Sequence, residues 1–573
     1  MNSGLDELRR ARRESLGLFW AAFAFSVVVN ILMLTGPLYM LQVYDRVLGS
    51  RSRETLLALS ILVAGLFLGM GILDHARARV MTLIGARFQD RLDRRVFAAA
   101  LKRSAVAPTD PAALAAQRDL EAIQRLLASP VLIALFDVPW TPMFIAAIFV
   151  LHPWLGWVAV GGGLFLILVT LLNQWATRTP QRLATGASLR SERLSEQLKS
   201  EAELLQALGM TEAGFDRWSV ARRETLRQAI RASGLGGLFG AVSKTFRMFL
   251  QSAVLGVGAL LVLQGEMTGG AMIAGSILMG RALAPIEVAV GQWAVVQRAA
   301  EGWKRLAELL GKVPEPSPTI RLPRPKGHLH VEQLTVVPPG ESVATLRLLN
   351  FSVEPGQAVG VIGPSGAGKT CLARALSGVW KPSGGVIRLD GATLDQYDPT
   401  ILGRMIGYLP QRVTLFEGTI AENIARLDRN ADSDKIVEAA RKAAAHDMIV
   451  RLPEGYETRI SGIGGRLSGG QLQRIGLARA LYGDPVVVIL DEPNSNLDND
   501  GSLALNLAIR ELKAQGKCVF IMAHRPAAIQ ECDLLLVIED GIRKAFGPRD
   551  AVLREVVRNH TDIIRTANAG GVA

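Results

Sequence analysis

The sequence predicts two unlike halves in one chain: a six-span, all-α membrane domain, then an α/β domain that opens on a glycine-rich phosphate loop. Three observations carry this. Residues 16–44 and 55–73 hold no charged side chain, and 126–177 holds only Asp137 and His152 as ionisable groups. The stretch GKVPEPSPTIRLPRPKG (311–327) has five prolines in seventeen residues, the composition of a stiff, extended linker. Beyond it, the apolar QAVGVI (357–362) runs straight into GPSGAGKT (363–370) and an apolar helical segment.

About 20 apolar residues cross a bilayer as a helix. The first two runs therefore predict one span each, and the third predicts two, folded at His152-Pro153. Two more are expected over 244–264 and 268–297, the second interrupted by Arg281 and Glu287. Mean hydropathy is +0.25, and the surrounding membrane lipids are the expected solvent for this half. The basic N-terminus MNSGLDELRRARRESLG imitates the start of a signal peptide. The apolar run after it is too long, and no small-residue cleavage pattern follows, so a retained first span is expected.

Charge sets the topology. The tail carries Arg9, Arg10, Arg12 and Arg13, and connections 76–125 and 174–234 carry ten Lys/Arg each, against three in 44–55. Positive residues stay inside, which places both termini and both long connections in the cytoplasm. The net charge of +12 follows from this juxtamembrane bias, and no nucleic-acid partner is expected. Segments 86–104 and 187–208 mix charged and apolar residues at helical spacing, so the membrane helices are expected to run well past the bilayer. Cys371, Cys518 and Cys532 have neither zinc-site nor disulfide spacing and read as buried thiols.

The second half carries the chemistry. In G-x-x-x-x-G-K-T, the loop residues Gly363, Pro364, Ser365, Gly366, Ala367 and Gly368 turn backbone N–H groups toward phosphate oxygens, and the next helix offers its positive end. Lys369 would reach the β- and γ-phosphates of a nucleotide, and the Thr370 hydroxyl would hold Mg²⁺. VVVILDEP (486–493) is an apolar strand ending in two carboxylates: Asp491 suits the Mg²⁺ shell, and Glu492 the base that polarises an attacking water. His524, after the strand-like VFIMA, lies where ligands of an open α/β sheet gather and is read as a γ-phosphate contact. A second glycine loop, GRLSGGQLQRIG (465–476), is also built to meet an anion, although the first already supplies a phosphate site.

Together these pieces resemble the ATPase domain of ATP-binding-cassette (ABC) proteins over 328–560. GPSGAGKT looks like Walker A, Gln411 the Q-loop glutamine, LSGGQ (467–471) the signature and VVVILDE Walker B. SNLD (495–498) is similar to the D-loop, and His524 to the switch histidine. The resemblance implies ATP with Mg²⁺ held by Thr370, Gln411 and Asp491. It implies catalysis by Glu492, His524 and Gln411, with Asp498 at the nucleotide. It also explains the second loop: Ser468, Gly469, Gly470 and Gln471 of one cassette close over the ATP held by another. A homodimer with two composite sites is expected, and a heterodimer with a similar half-transporter is the alternative. One position departs from the family: VEQLTVVPPGE (331–341) has no aromatic to stack on adenine, leaving Val337 and Pro338 as apolar contacts.

The whole chain therefore resembles an ABC exporter half-transporter: a six-helix transmembrane domain (1–310), linker (311–327), α/β P-loop nucleotide-binding domain (328–560) and tail (561–573). LTGPLYMLQVYDRVL (34–48), LFDVPWTPMFIAAIFVLHPWLG (135–156) and LDEPNSNLD (490–498) look like the type I protein-secretion subgroup. That resemblance implies export of unfolded polypeptides with a C-terminal signal across the bacterial inner membrane, with a periplasmic adaptor and an outer-membrane channel as partners. An N-terminal cysteine peptidase found in a related branch is not expected here. The alternative is an exporter of lipids or small amphiphiles. A soluble ABC ATPase acting on nucleic acid is excluded by the charge-free spans. Asp137, Lys244, Arg247, Arg281 and Glu287 fall inside spans and are functional candidates by default. They are read either as a basic lining for an acidic chain or as internal pairs, Asp137 with Arg247 or Arg281.

Overall fold

The computed structural model describes residues 2–315, 322–460, 467–495, 497, 499–523 and 529–555. The linker core 316–321 lies outside them. The chain divides into two compact units: Met1–Ser104 with Pro108–Glu315, and Ala105–Ala107 with Pro316–Ala573.

The first unit is helical. Six helices are long and apolar enough to cross a membrane: Leu16–Ser50, Arg53–Val106, Pro130–Leu151, Pro153–Ser200, Thr211–Leu263 and Gly269–Gly291. The second span has 54 residues, about 81 Å at 1.5 Å per residue, against a hydrocarbon core of about 30 Å. Between the third and fourth spans the chain turns at His152, whose Nδ1 accepts from Trp154 N at 3.3 Å, with Pro153 beginning the next helix. Proline suits that first helical position because its missing N–H would have had no partner there. The fourth and fifth spans approach closely because of glycine: a Cβ on Gly162 would strike the Leu250 side chain. Small residues let helix backbones meet where lipid gives no hydrophobic push. Bulky side chains such as Trp20 and Trp175 point outward, 68% and 82% exposed, as expected of surfaces solvated by lipid.

Polar groups bind the first three spans. Arg77, 4% exposed, donates to Asp137 Oδ1 (2.6 Å), Asp74 Oδ1 (2.6 Å) and Ser26 Oγ (2.9 Å), and Asn30 Nδ2 donates to the same Asp137 oxygen at 2.7 Å. The expected pairing of Asp137 with Arg247 or Arg281 is therefore corrected. Arg247 instead pairs with Glu287, Nε–Oε2 2.6 Å, between the fifth and sixth spans. The reason is depth: Arg77 enters the spans one turn past a charge-free run, close enough to satisfy the third-span acid.

At the end of this unit opposite the short turns, the N-terminal helix Asn2–Arg13 buries Leu8 and Ala11 against Phe88, Leu92 and Leu306. Gly4 lets it lie directly on the final helix of this unit, Trp293–Lys312, since a Cβ there would meet the Ala307 carbonyl.

The second unit is built on a six-stranded sheet. Its spatial order is Ile542–Pro548, Leu534–Glu539, Ala358–Ile362, Cys518–Met522, Val487–Asp491 and Ile406–Leu409. All neighbours are parallel except the first pair. Alternate residues feed two cores: Val488, Leu490, Val519 and Ile521 on one face, Val487, Ile489, Phe520 and Met522 on the other. Burial on both faces is why these strands read as unbroken apolar runs. A four-stranded antiparallel sheet, ordered Leu346–Val353, Leu329–Val336, Gly384–Leu389, Ala392–Thr393, adjoins the second core.

Candidate nucleotide site

The phosphate loop leaves the strand Ala358–Ile362 and enters the helix Lys369–Leu376. Three glycines make the turn possible. A Cβ on Gly363 would collide with the Ile538 carbonyl, Gly366 has φ 83°, and Gly368, at φ 101°, caps the helix with the Leu346 side chain 2.5 Å from its would-be Cβ. Lys369 is 6% exposed, and its Nζ donates to the carbonyls of Gly363 (2.7 Å) and Pro364 (2.9 Å). Burial pushes its pKa down, and the nearby Glu492 and Asp491 carboxylates oppose that shift. The ammonium is thus folded into its own loop, ready to exchange two carbonyls for phosphate oxygens.

Asp491 ends the strand Val487–Asp491 and is 1% exposed. Burial raises its pKa, a hydrogen bond with Thr370 opposes this, and Glu492 raises it further. Its Oδ2 is buried without a hydrogen-bond partner, the state of an oxygen waiting for a cation.

Glu492 has a left-handed backbone, φ 51°, immediately before Pro493. That region costs a non-glycine residue of order 1–3 kcal/mol, and a following proline restricts it further. Two bonds hold the corner: Glu492 N to Met522 O at 3.0 Å, and Gln473 Nε2, 2% exposed, to Pro493 O at 3.2 Å. The strain bends the chain off the strand one residue after Asp491, separating the two adjacent carboxylates in direction.

The signature helix Gly469–Leu481 starts at Ser468, whose Oγ accepts from Gln471 N (3.3 Å), while Gln471 Oε1 accepts from Ser468 N (2.8 Å). This reciprocal capping box commits the Gln471 side chain to shaping the loop and leaves the N–H groups of Gly469 and Gly470 at the positive helix end. Gln411 is exposed beyond the strand Ile406–Leu409. Val337 is partly exposed and Pro338 buried at the end of Leu329–Val336. Asp498 and His524 lie outside the described residues, as do Gly465 and Arg466 before the signature.

Sequence reasoning missed Arg426. Its guanidinium donates to the carbonyls of Arg479 (2.9 Å), Ala480 (2.8 Å) and Gly403 (2.7 Å), tying the negative end of the signature helix to the segment before Ile406. Burial pushes its pKa down to about 10. Nothing in ENIARLD distinguishes this arginine from a surface one. The two buried thiols, Cys518 and Cys532, are pushed up to about 12 by desolvation and are inert.

A phosphate loop, a buried strand-end aspartate and a serine-capped, glycine-opened helix around one sheet, in a chain with six helices long and apolar enough to span a membrane, define an ATP-driven membrane transporter. The ABC transporter family matches residues 346–495, and the ABC transporter transmembrane region matches 19–284. The chain is similar to the type I secretion system ATP-binding protein PrsD of Rhizobium meliloti (strain 1021), 44% identical over 96% of this chain and 94% of that protein. It is also similar to the toxin RTX-I translocation ATP-binding protein of Actinobacillus pleuropneumoniae, 27% identical over 91% and 74%. A bacterial Atm1-family ABC exporter with ATP bound shares the fold, with TM-score 0.77 and 23% identity over 97% of this chain and 98% of that one. The chain belongs to the ABC transporter family, among the type I secretion ATP-binding proteins. It is a multi-pass membrane protein that binds ATP and couples its hydrolysis to transport.

Proposed function

We propose that this chain drives polypeptide export as a homodimer in the bacterial inner membrane, with both termini cytoplasmic, handing an unfolded, C-terminally signalled substrate to a periplasmic adaptor and outer-membrane channel. The observation that carries it is the near full-length similarity to PrsD. The site supplies the motor. Lys369 and the loop N–H groups neutralise phosphate charge, and Glu492 accepts a proton from the attacking water. Ser468, Gly469 and Gly470 of one copy close over the nucleotide held by Lys369 of the other, with Gln411, Asp498 and His524 completing each composite site. Thr370 and the partnerless Oδ2 of Asp491 fit Mg²⁺, which would supply charge neutralisation between the phosphates. Among the described residues no group of three or more His, Cys, Asp or Glu could hold a metal. Held there, the ion would be shared with the nucleotide, as is usual for Mg²⁺.

The test is reconstitution in a bacterium lacking its own type I exporter, with adaptor and channel co-expressed. A reporter bearing a C-terminal secretion signal should reach the medium in an ATP-dependent way. Retention of the reporter alongside lipid or amphiphile efflux would support the alternative cargo instead.

The absent aromatic at 331–341 has its own consequence. Base stacking on an aromatic is worth about 1–3 kcal/mol, so discrimination between ATP and GTP should be weak, with kcat/KM values within about tenfold. Steady-state hydrolysis of both nucleotides checks this, and strict ATP selectivity would count against it.

A further inference from the structure

Gly269–Gly291 is the most buried of the six spans. Between Gly269 and Val290 it exposes one residue, Arg281. The helix has 23 residues, about 34 Å at 1.5 Å per residue, and Arg281 sits about 18 Å from one end and 15 Å from the other. That is the middle of the helix, which a hydrocarbon core of about 30 Å would set near mid-depth. A cation there costs several kcal/mol against lipid and belongs on a polar surface.

Acids of the membrane helices are engaged elsewhere, Asp45 by Thr268 Oγ1 and Gly270 N. Asp74 and Asp137 are taken by Arg77, and Glu287 by Arg247. Among the described residues, no hydrogen bond or ion pair reaches Arg281.

We infer that Arg281 forms a midmembrane binding point for carboxylate side chains of the exported polypeptide, one from each copy. This rests on the export reading above and names the chemistry that the path prefers: acidic, unfolded chain over basic chain. Lys244, also exposed, is a second cation on Thr211–Leu263, the helix that packs against this span.

The full chain in nanodiscs carrying Arg281→Cys tests this, since the native cysteines all lie beyond residue 370 and set a wild-type background. A membrane-impermeant anionic methanethiosulfonate should label the variant above that background. Absent labelling would place the side chain in lipid or a closed interface and overturn the inference. The poly-L-glutamate dependence of ATP turnover then tests the carboxylate preference. Its midpoint should rise at least tenfold in Arg281→Gln and less than threefold in Arg281→Lys, and equal shifts would overturn it. Labelling needs no turnover. Failed labelling with intact ATPase therefore sinks only this inference, whereas a wild type that exports no reporter sinks the export reading.

Discussion

Glu492→Gln is expected to lower ATP turnover at least ~100-fold, the lower range for removal of a positioned general base, while leaving ATP binding intact. The substitution is isosteric. It keeps the left-handed backbone at φ 51°, the Glu492 N–Met522 O bond and the Gln473–Pro493 bond, so the loss reports on chemistry rather than folding. It also removes one of the two carboxylates that oppose the downward pKa shift of Lys369. The variant should therefore accumulate an ATP-bound, closed dimer, visible as a nucleotide-dependent shift in size-exclusion elution of the isolated cassettes or as trapped ATP in the full protein. Turnover within tenfold of wild type would remove Glu492 from the role of base.

The second large effect concerns stability. Arg77→Met should destabilise the membrane unit by about 3–5 kcal/mol, because it strands Asp137, whose side chain is 13% exposed, without its cation. In a thermal scan this corresponds to a drop of order 10 °C. The double variant Arg77→Met/Asp137→Leu should recover most of the loss, since replacing both members of a buried pair with apolar side chains is often neutral. Ser26 Oγ, which loses Arg77, and Asn30, which keeps only its bond to the Ser26 carbonyl, set the remainder. A single variant melting within about 2 °C of wild type would show that water or lipid headgroups already solvate Asp137.

The spans and the phosphate loop were legible because each depends on local pattern: absence of charge over twenty residues, or glycines at fixed spacing between strand and helix. The strands Val487–Asp491 and Cys518–Met522 were legible as apolar runs for the same reason. What stayed hidden depends on long-range partners or on backbone angle. Arg77 follows the charge-free run 55–73 and reads as a cytoplasmic residue, because a helix of 54 residues carries no mark where the bilayer ends. Glu492 precedes a proline, which argues for extended backbone, and only the tertiary bonds from Met522 and Gln473 reveal the left-handed turn. The Ser-Gly-Gly-Gln spacing at 468–471 did contain a capping-box signal, but the anion-binding reading of those glycines drew attention from it.

The long second span bears on how force is conveyed. Arg53–Val106 contains no proline and no break over its 54 residues, whereas the fourth span holds Pro180 within its helix. Pivoted at the bilayer midplane, an unbroken rod about 81 Å long would have its far tip about 66 Å from the fulcrum. A tilt of about 5° then sweeps that tip through about 6 Å, one full helical turn. A rod of this length would therefore turn a small tilt in the membrane into a displacement several times larger at its far end.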